Sequence, residues 1–431
     1  MEFKEQSFVT LLLGNDINVY SVARAFHEAY GLRSTSIGKK AGAPCADSKI
    51  IDQYTEPDIN DPDVFVKSVN DFAEKQTKTV LLIGCGDNYV RLIAENKDRL
   101  AKNVIAPYGS GEQLNSLMDK EKFYQLCDKH GIDYPATYVC TKNTMEVAPD
   151  FDAPYILKPC NGPEYFAHPF EGQKKVFKLD SLQELRETVA AVYNSGYKDN
   201  LIIQDFIPGD DTYMRVLTNY SDKNGNVKLM CLGHVLLEEH TPYGIGNHAV
   251  IINEYDRELM EKFKTLLEEI GYTGFSNFDI KYDQRDNKFK VFEINVRQGR
   301  SNFYVTGAGY NIAEYVVRDH ILCEDLGETV YADKENLWLV VPEKVAYDYI
   351  KPLEYRTRMK SLARNGAIVT PLFYKHDNNP GRLLRLVKQH TSHFVKYKKY
   401  LGNHKKYLAK CKSLLENSKN YLEKCKKHFG K

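Results

Sequence analysis

The chain has 431 residues, 59 Lys and Arg against 58 Asp and Glu for a formal net charge of +1, and 42% hydrophobic residues. That length suits roughly two to four domains with sizeable cores, and the balanced charge excludes a global electrostatic pull on nucleic acid. Nine cysteines without paired, metal-like spacing argue against a disulfide framework; with no signal-peptide start and no apolar run of transmembrane length, a cytoplasmic protein is expected.

The run FVTLLL at 8–13 reads as a buried parallel strand. It is followed by a turn at Gly14-Asn15-Asp16 and a helix ending at Gly31. RSTSIG offers another strand, 64–75 a helix, and TVLLIGCGD a second strand-to-glycine turn with a helix from Asn88. Strands alternating with helices predict a Rossmann-like α/β domain over 1–105. Its crevice, near Asn15, Asp16 and Asp87, is a place for part of a substrate.

Asp119 caps a helix expected to run to His130, and this places Lys120 in the first turn, where a bound anion explains it better than the helix dipole does. In the strand PYILKP, Lys158 interrupts an apolar run and needs a partner, such as a nucleotide phosphate. The loop 160–176 carries Lys174 and Lys175 and could close over phosphates, or be a plain exposed hairpin. No GxxxxGK[ST] is present, so a P-loop is excluded.

NLIIQDFIPGDDTYMRVLTNY reads as a strand, a Pro-Gly turn and a second strand. The backbone of Asp205, Phe206 and Ile207 could flank the polar edge of a purine, with Asp211 reaching for ribose hydroxyls. Arg215, in the next strand, is expected to face the phosphates. KLMCLGHVLLEEH is another strand, GIGNHAVIIN a glycine-containing loop, and RELMEKFKTLLEEIGY an amphipathic helix.

The stretch 278–301, FDIKYDQRDNKFKVFEINVRQGRS, reads as a hairpin. Side chains alternate along a strand, so Glu293 and Asn295 share a face, and Asp279 on the partner strand can join them. Three such oxygens suit Mg²⁺, with Arg297 on the same face and Arg300 just beyond. A solvated face with ordinary charge pairing is the alternative for these residues taken alone.

The order of these pieces resembles the ATP-grasp superfamily over 105–310. The resemblance implies an N-terminal Rossmann-like domain (1–105), an ATP-grasp small subdomain (106–200), a large subdomain with the Mg/ATP site (201–330) and a C-terminal extension (331–431). Lys120 and Lys158 match the two nucleotide-contacting lysines. Gln204, Asp205 and Ile207 match the adenine hinge and Asp211 the ribose acid, although glutamate is usual in place of both Gln204 and Asp211. Asp279, Glu293 and Asn295 match the Mg²⁺ ligands (Mn²⁺ being the alternative ion), and Arg297 the substrate-facing arginine, with Arg300 and Arg215 beside it. Such enzymes activate a carboxylate with ATP as an acylphosphate that an amine then displaces. The chain is similar to the carboxylate–amine ligase branch that includes the D-aspartate ligases of peptidoglycan cross-bridge synthesis, which implies an amino acid substrate and an amine on a nucleotide- or lipid-linked cell-wall precursor. A dipeptide-forming or purine-biosynthetic ligase, or a non-catalytic nucleotide- or envelope-binding protein, are the competing expectations.

Trp338 falls in an apolar strand expected to pack on the core. Beyond Gly381 the chain has helical spacing and is very basic, with Glu416 and Glu423 its only acids. Such helices can lie on an anionic membrane at the inner face or hold a polyanionic substrate, or they can dock on the core with a solvated lysine face. Nucleic acid is not expected, because no recognisable module accompanies the charge.

Overall fold

The computed structural model describes residues 3–402 except Met145 and Tyr243, so the later part of the basic tail, 403–431, lies outside the described residues. Three sheets organise the chain. The first is parallel, in the order β3-β2-β1-β4-β5. Its strands are β1 (Phe8–Leu13), β2 (Ser34–Gly38), β3 (Ile51–Thr55), β4 (Thr79–Gly84) and β5 (Val104–Ile105). Helices α1 (Ile17–Tyr30), α2 (Pro62–Ala73) and α3 (Asp87–Glu95) connect them. The side chains of β1 and β4 are almost all buried because helices cover both faces, which is why these strands read as unbroken apolar runs. Asp16 caps α1 through the amides of Asn18 and Val19, and Gly31 closes it in the left-handed conformation.

Helices α4 (Gly111–Met118) and α5 (Lys120–Lys129) lead to a four-stranded sheet. It runs β6-β9-β7-β8, from β6 (Thr137–Cys140), β7 (Tyr155–Pro159), β8 (Phe177–Leu179) and β9 (Leu201–Asp205). Helices α6 (Gly162–Ala167) and α7 (Leu182–Asn194) lie between these strands. The 160–176 segment, expected as an open loop or plain hairpin, therefore contains a short helix, and Tyr165 Oη donates to the Lys174 carbonyl (2.8 Å) to tie its far end. Because β9 belongs to this sheet, we propose the boundary between the expected small and large subdomains after it, at the 206–210 turn, instead of at 200/201. Gly209 allows that turn with φ +108°, and a Cβ there would sit 2.4 Å from the Tyr213 ring.

The third sheet runs β14-β13-β10-β11-β12-β16-β17, with β15 (Val330–Tyr331) beside β11. Its other strands are β10 (Met214–Ser221), β11 (Val227–Glu238), β12 (His248–Glu254), β13 (Gly274–Asp283), β14 (Lys288–Asn295), β16 (Leu337–Leu339) and β17 (Ile368–Val369). Helix α8 (Arg257–Glu269) covers one face. The reading of GIGNHAVIIN as a loop needs correction, since His248–Glu254 is a strand paired on both sides. Glycines 244 and 246 belong to the turn that precedes it. Helices α9 (Phe303–Gly307), α10 (Ile312–His320), α11 (Glu343–Tyr349), α12 (Leu353–Arg364) and α13 (Pro380–Tyr400) complete the fold. Trp338, fully buried on β16, packs in the core between this sheet and the first domain.

The C-terminal extension is fastened to the first domain by Asp377. Its carboxylate accepts from Tyr20 Oη (2.8 Å), Ser48 Oγ (2.7 Å) and the Lys49 amide (2.7 Å). Arg382 lies 3.2 Å away and over the Tyr20 ring at 4.1 Å. Among the described residues no helix is long and apolar enough to cross a membrane.

Candidate active site

The hairpin β13–β14 forms as its sequence indicates, with Asn287 in the left-handed conformation (φ 58°) closing the turn. Asp279 stands directly opposite Glu293, and a bulge after Asp279 lets β14 accommodate the extra Phe292. Asn295 Nδ2 donates to Asp279 Oδ2 (3.1 Å), so the two carboxylates and the carboxamide converge. Among the described residues no cluster of three or more His, Cys, Asp or Glu is placed to hold a metal. A cation here would depend on two carboxylates and Asn295, a hard oxygen set that fits Mg²⁺.

The two lysines expected from elsewhere in the chain arrive at the same place. Asp119 accepts from the Glu121 and Lys122 amides (3.0 and 3.2 Å), which fixes the start of α5 and aims Lys120 at the hairpin. Lys120 Nζ forms an ion pair with Glu293. Burial by itself would lower the Lys120 pKa, but the Glu293 charge outweighs it and the pKa rises. Glu293 is held well below the usual carboxylate range by Lys120, and Lys158 and Lys175 add to the effect. Asp279 moves the other way, raised by burial and by the neighbouring Glu293 charge. Among the described residues Lys158 forms no hydrogen bond or ion pair; its ammonium lies 5.6 Å from the Phe292 ring centroid, and burial together with Lys120 lowers its pKa to about 7. A cation in this state, partly desolvated and without a counter-ion, is ready for an anionic ligand.

Arg297 donates to both Asp87 oxygens (2.8 and 3.1 Å) and to Asn295 Oδ1 (3.3 Å). Asp87 comes from the Gly-Cys-Gly-Asp turn, so the first domain contributes to this site, and the turn can act by positioning Arg297.

At the hinge, Gln204 donates to Tyr124 Oη (2.8 Å) and Thr137 Oγ1 (2.9 Å), and Tyr124 donates to the Phe292 carbonyl (2.7 Å). Asp205 pairs with Arg285. Phe206 lies under Lys178 Nζ at 4.0 Å. Lys281 Nζ donates to the carbonyls of Ile207 (2.9 Å) and Gly209 (3.1 Å) and so ties the 206–210 turn to the β13–β14 hairpin. Lys281 is two residues from Asp279 on the same face and was open to that reading from FDIKYD; Tyr124 carried no comparable signal. Asp211 accepts from His240 (2.8 Å) and from the Glu238 amide (2.9 Å), which occupies one of its two oxygens.

Two expected arginines lie elsewhere. Val216 pairs with Asp279, so its neighbour Arg215, opposite Ile280, points to the other face of the sheet. There it binds Glu254 and the carbonyls of Thr212 (3.2 Å) and Met214 (3.1 Å). The expected phosphate contact of Arg215 is therefore not made. Arg300 holds Glu239 (2.9 Å) close to His248 instead of continuing the Arg297 face.

Beside Asp211, Glu238 is a half-buried acid, its Oε1 shut off from solvent, that the sequence did not single out. Its Oε1 has no hydrogen-bond partner, and burial, reinforced by Asp211, pushes its pKa up to about 7. The folded-state value lies above the unfolded one, so the fold is penalised as pH rises from about 4.5 through 7. Glu238→Gln is expected to raise the thermal midpoint at pH 8 by an amount corresponding to about 3 kcal/mol, and to leave it nearly unchanged at pH 5, as scanning calorimetry at the two pH values would read.

No family model matches the chain. It is 38% identical over 410 residues to the D-aspartate ligase of Enterococcus faecium (strain Aus0004), covering 92% of this chain and 97% of that protein. A D-alanine–D-alanine ligase of Wolbachia pipientis is 25% identical over 198 residues, 44% of this chain and 56% of that one. Among solved structures, an ADP complex of N5-carboxyaminoimidazole ribonucleotide synthetase is similar at TM-score 0.56 and 15% identity, covering 78% of this chain and 82% of that one. The L-amino acid ligase of Bacillus licheniformis is similar at TM-score 0.50 and 17% identity, covering 73% and 74%. The chain has the fold of these ligases and matches one relative over nearly the whole of both sequences: it belongs to the D-aspartate ligase family of ATP-grasp enzymes and is an ATP-dependent ligase that forms carbon–nitrogen bonds.

Proposed function

We propose that the enzyme activates a carboxylate of D-aspartate as an acylphosphate and joins it to an amine on a peptidoglycan precursor. The observation that carries the chemistry is the convergence of Lys120 and Lys158 on Asp279, Glu293 and Asn295, with Arg297 alongside. The choice of acid rests on the relative that matches over 97% of its length, which is named a D-aspartate ligase.

In this reading Lys120 and Lys158 hold the nucleotide phosphates, while Gln204, Asp205, Phe206 and Ile207 flank the adenine and Asp211 meets the ribose. Lys120 must exchange Glu293 for phosphate as ATP enters. Lys158 takes up its full charge when a phosphate becomes its counter-ion. Mg²⁺ on Asp279, Glu293 and Asn295 would neutralise charge on the β- and γ-phosphates during transfer. The carboxylate oxygen attacks the γ-phosphorus and ADP departs. The amine nitrogen then attacks the acyl carbon, the C–O bond to phosphate breaks, and the amine loses a proton. Arg297, oriented by Asp87, faces the acylphosphate and the oxyanion formed after attack. The reaction belongs in the cytoplasm, and a lipid-linked acceptor would bring it to the inner face of the membrane.

The test uses purified enzyme, Mg-ATP and a panel of D- and L-amino acids with hydroxylamine as a trap. D-Aspartate is expected to give hydroxamate and ADP, and a precursor with a free side-chain amine to replace hydroxylamine. Hydroxamate from a different amino acid overturns the choice of acid, and transfer only to a free amino acid overturns the precursor.

A further inference from the structure

Helix α13 is amphipathic twice over. One side carries the buried residues Arg382, Leu386, His393 and Tyr397. Tyr397 Oη donates to the Glu238 carbonyl (2.6 Å), which fixes the helix to the large sheet and determines which side faces outward. On that outward side Leu383, Leu384, Val387, Phe394 and Val395 are 39–73% exposed. At 3.6 residues per turn these five fall within an arc of about 120°. Lys388, Lys396 and Lys399 occupy the adjoining arc, Thr391 and Lys398 fall within the apolar one, and the helix contains no Asp or Glu. Solvent alone does not account for five large apolar side chains on one stripe of a helix whose other side is already packed.

We infer that this outer stripe of α13 is a docking surface for an anionic lipid bilayer. Charge complementarity selects that occupant: an apolar arc bordered by lysines, with no acid on the helix, matches an interface where acyl chains meet negative headgroups. The helix would lie in the plane of the interface, with the apolar stripe inserted and the lysines level with the headgroups. The inference shares with the proposed function only its location at the membrane, and it stands whatever amine the enzyme uses.

The experiment is co-sedimentation of the full chain with vesicles of phosphatidylcholine alone or with phosphatidylglycerol, at low and high salt. Binding is expected only with the anionic vesicles, and is expected to weaken with salt. Leu384→Asp with Val395→Asp, and separately Lys388→Glu with Lys399→Glu, are each expected to weaken it at least tenfold, while ADP release in lipid-free solution stays at the wild-type rate. Vesicle binding unaffected by these variants would assign lipid contact to residues 403–431 and overturn the inference. So would absence of binding, or a dimer in sedimentation velocity that the apolar variant dissolves, which would make a second copy of the chain the occupant.

Discussion

Glu293→Gln is expected to lower the rate of ATP-dependent amide formation by about 10²–10³-fold, as for removal of a principal electrostatic contact to a transition state. The size follows from how few groups share the work. The converging oxygens come from two carboxylates and one carboxamide, and Glu293 is also the partner of Lys120. Glutamine preserves the volume and one carbonyl oxygen but removes the charge. Cation affinity therefore falls, and Lys120 loses the counter-ion that holds it on the hairpin. Steady-state ADP release at saturating ATP and amino acid, with Mg²⁺ varied, reads both effects: kcat falls and the Mg²⁺ concentration for half-maximal rate rises. A variant that keeps more than a tenth of wild-type turnover would remove Glu293 from the proposed site.

The largest expected loss of stability comes from a residue far from the chemistry. Asp377→Ala takes the carboxylate from a buried knot and leaves Arg382 (1% exposed) without its counter-charge, together with Tyr20 Oη, Ser48 Oγ and the Lys49 amide without their acceptor. Removing one partner of a buried pair costs about 3–5 kcal/mol, because the remaining charge stays desolvated. Urea denaturation should show a loss of that order. Asp377→Ala combined with Arg382→Met should recover part of it, since an apolar replacement leaves no orphan charge. A loss below about 1 kcal/mol would mean that water reaches the knot.

Local patterns in the sequence were sufficient for much of this. Strands β1, β2 and β4, the cap at Asp119 and the hairpin at 278–295 all follow from short-range rules, since apolar runs, capping acids and a polar turn act within a few residues, whereas β3 (Ile51–Thr55) and the two-residue β5 (Val104–Ile105) carry no such run. Lys120 and Lys158 were visible because each conflicts with its local setting, one with the helix dipole and the other with an apolar strand. Register between distant strands was not visible. Arg215 sits one residue from the position that faces Asp279, and nothing within β10 states which of its faces meets the hairpin. Strand β12 was hidden by the glycines of the turn before it. The glycine turn marks Asp87 but not its partner Arg297, 210 positions away, and Glu238 and Asp377, which act through contacts made across 27 and more than 300 positions, carry no local mark.

The ion pair between Lys120 and Glu293 also bears on the order in which ligands can profitably arrive. Each member is the counter-charge of the other, so a divalent cation coming alone must separate Glu293 from Lys120, and a polyphosphate coming alone must separate Lys120 from Glu293. Either event leaves one charge bare; the two together leave none. With the roles proposed above for Glu293 and Lys120, the pair would act as a coincidence detector. It would disfavour free metal and free nucleotide and admit their combination, so that each is expected to tighten the other's binding by the same factor.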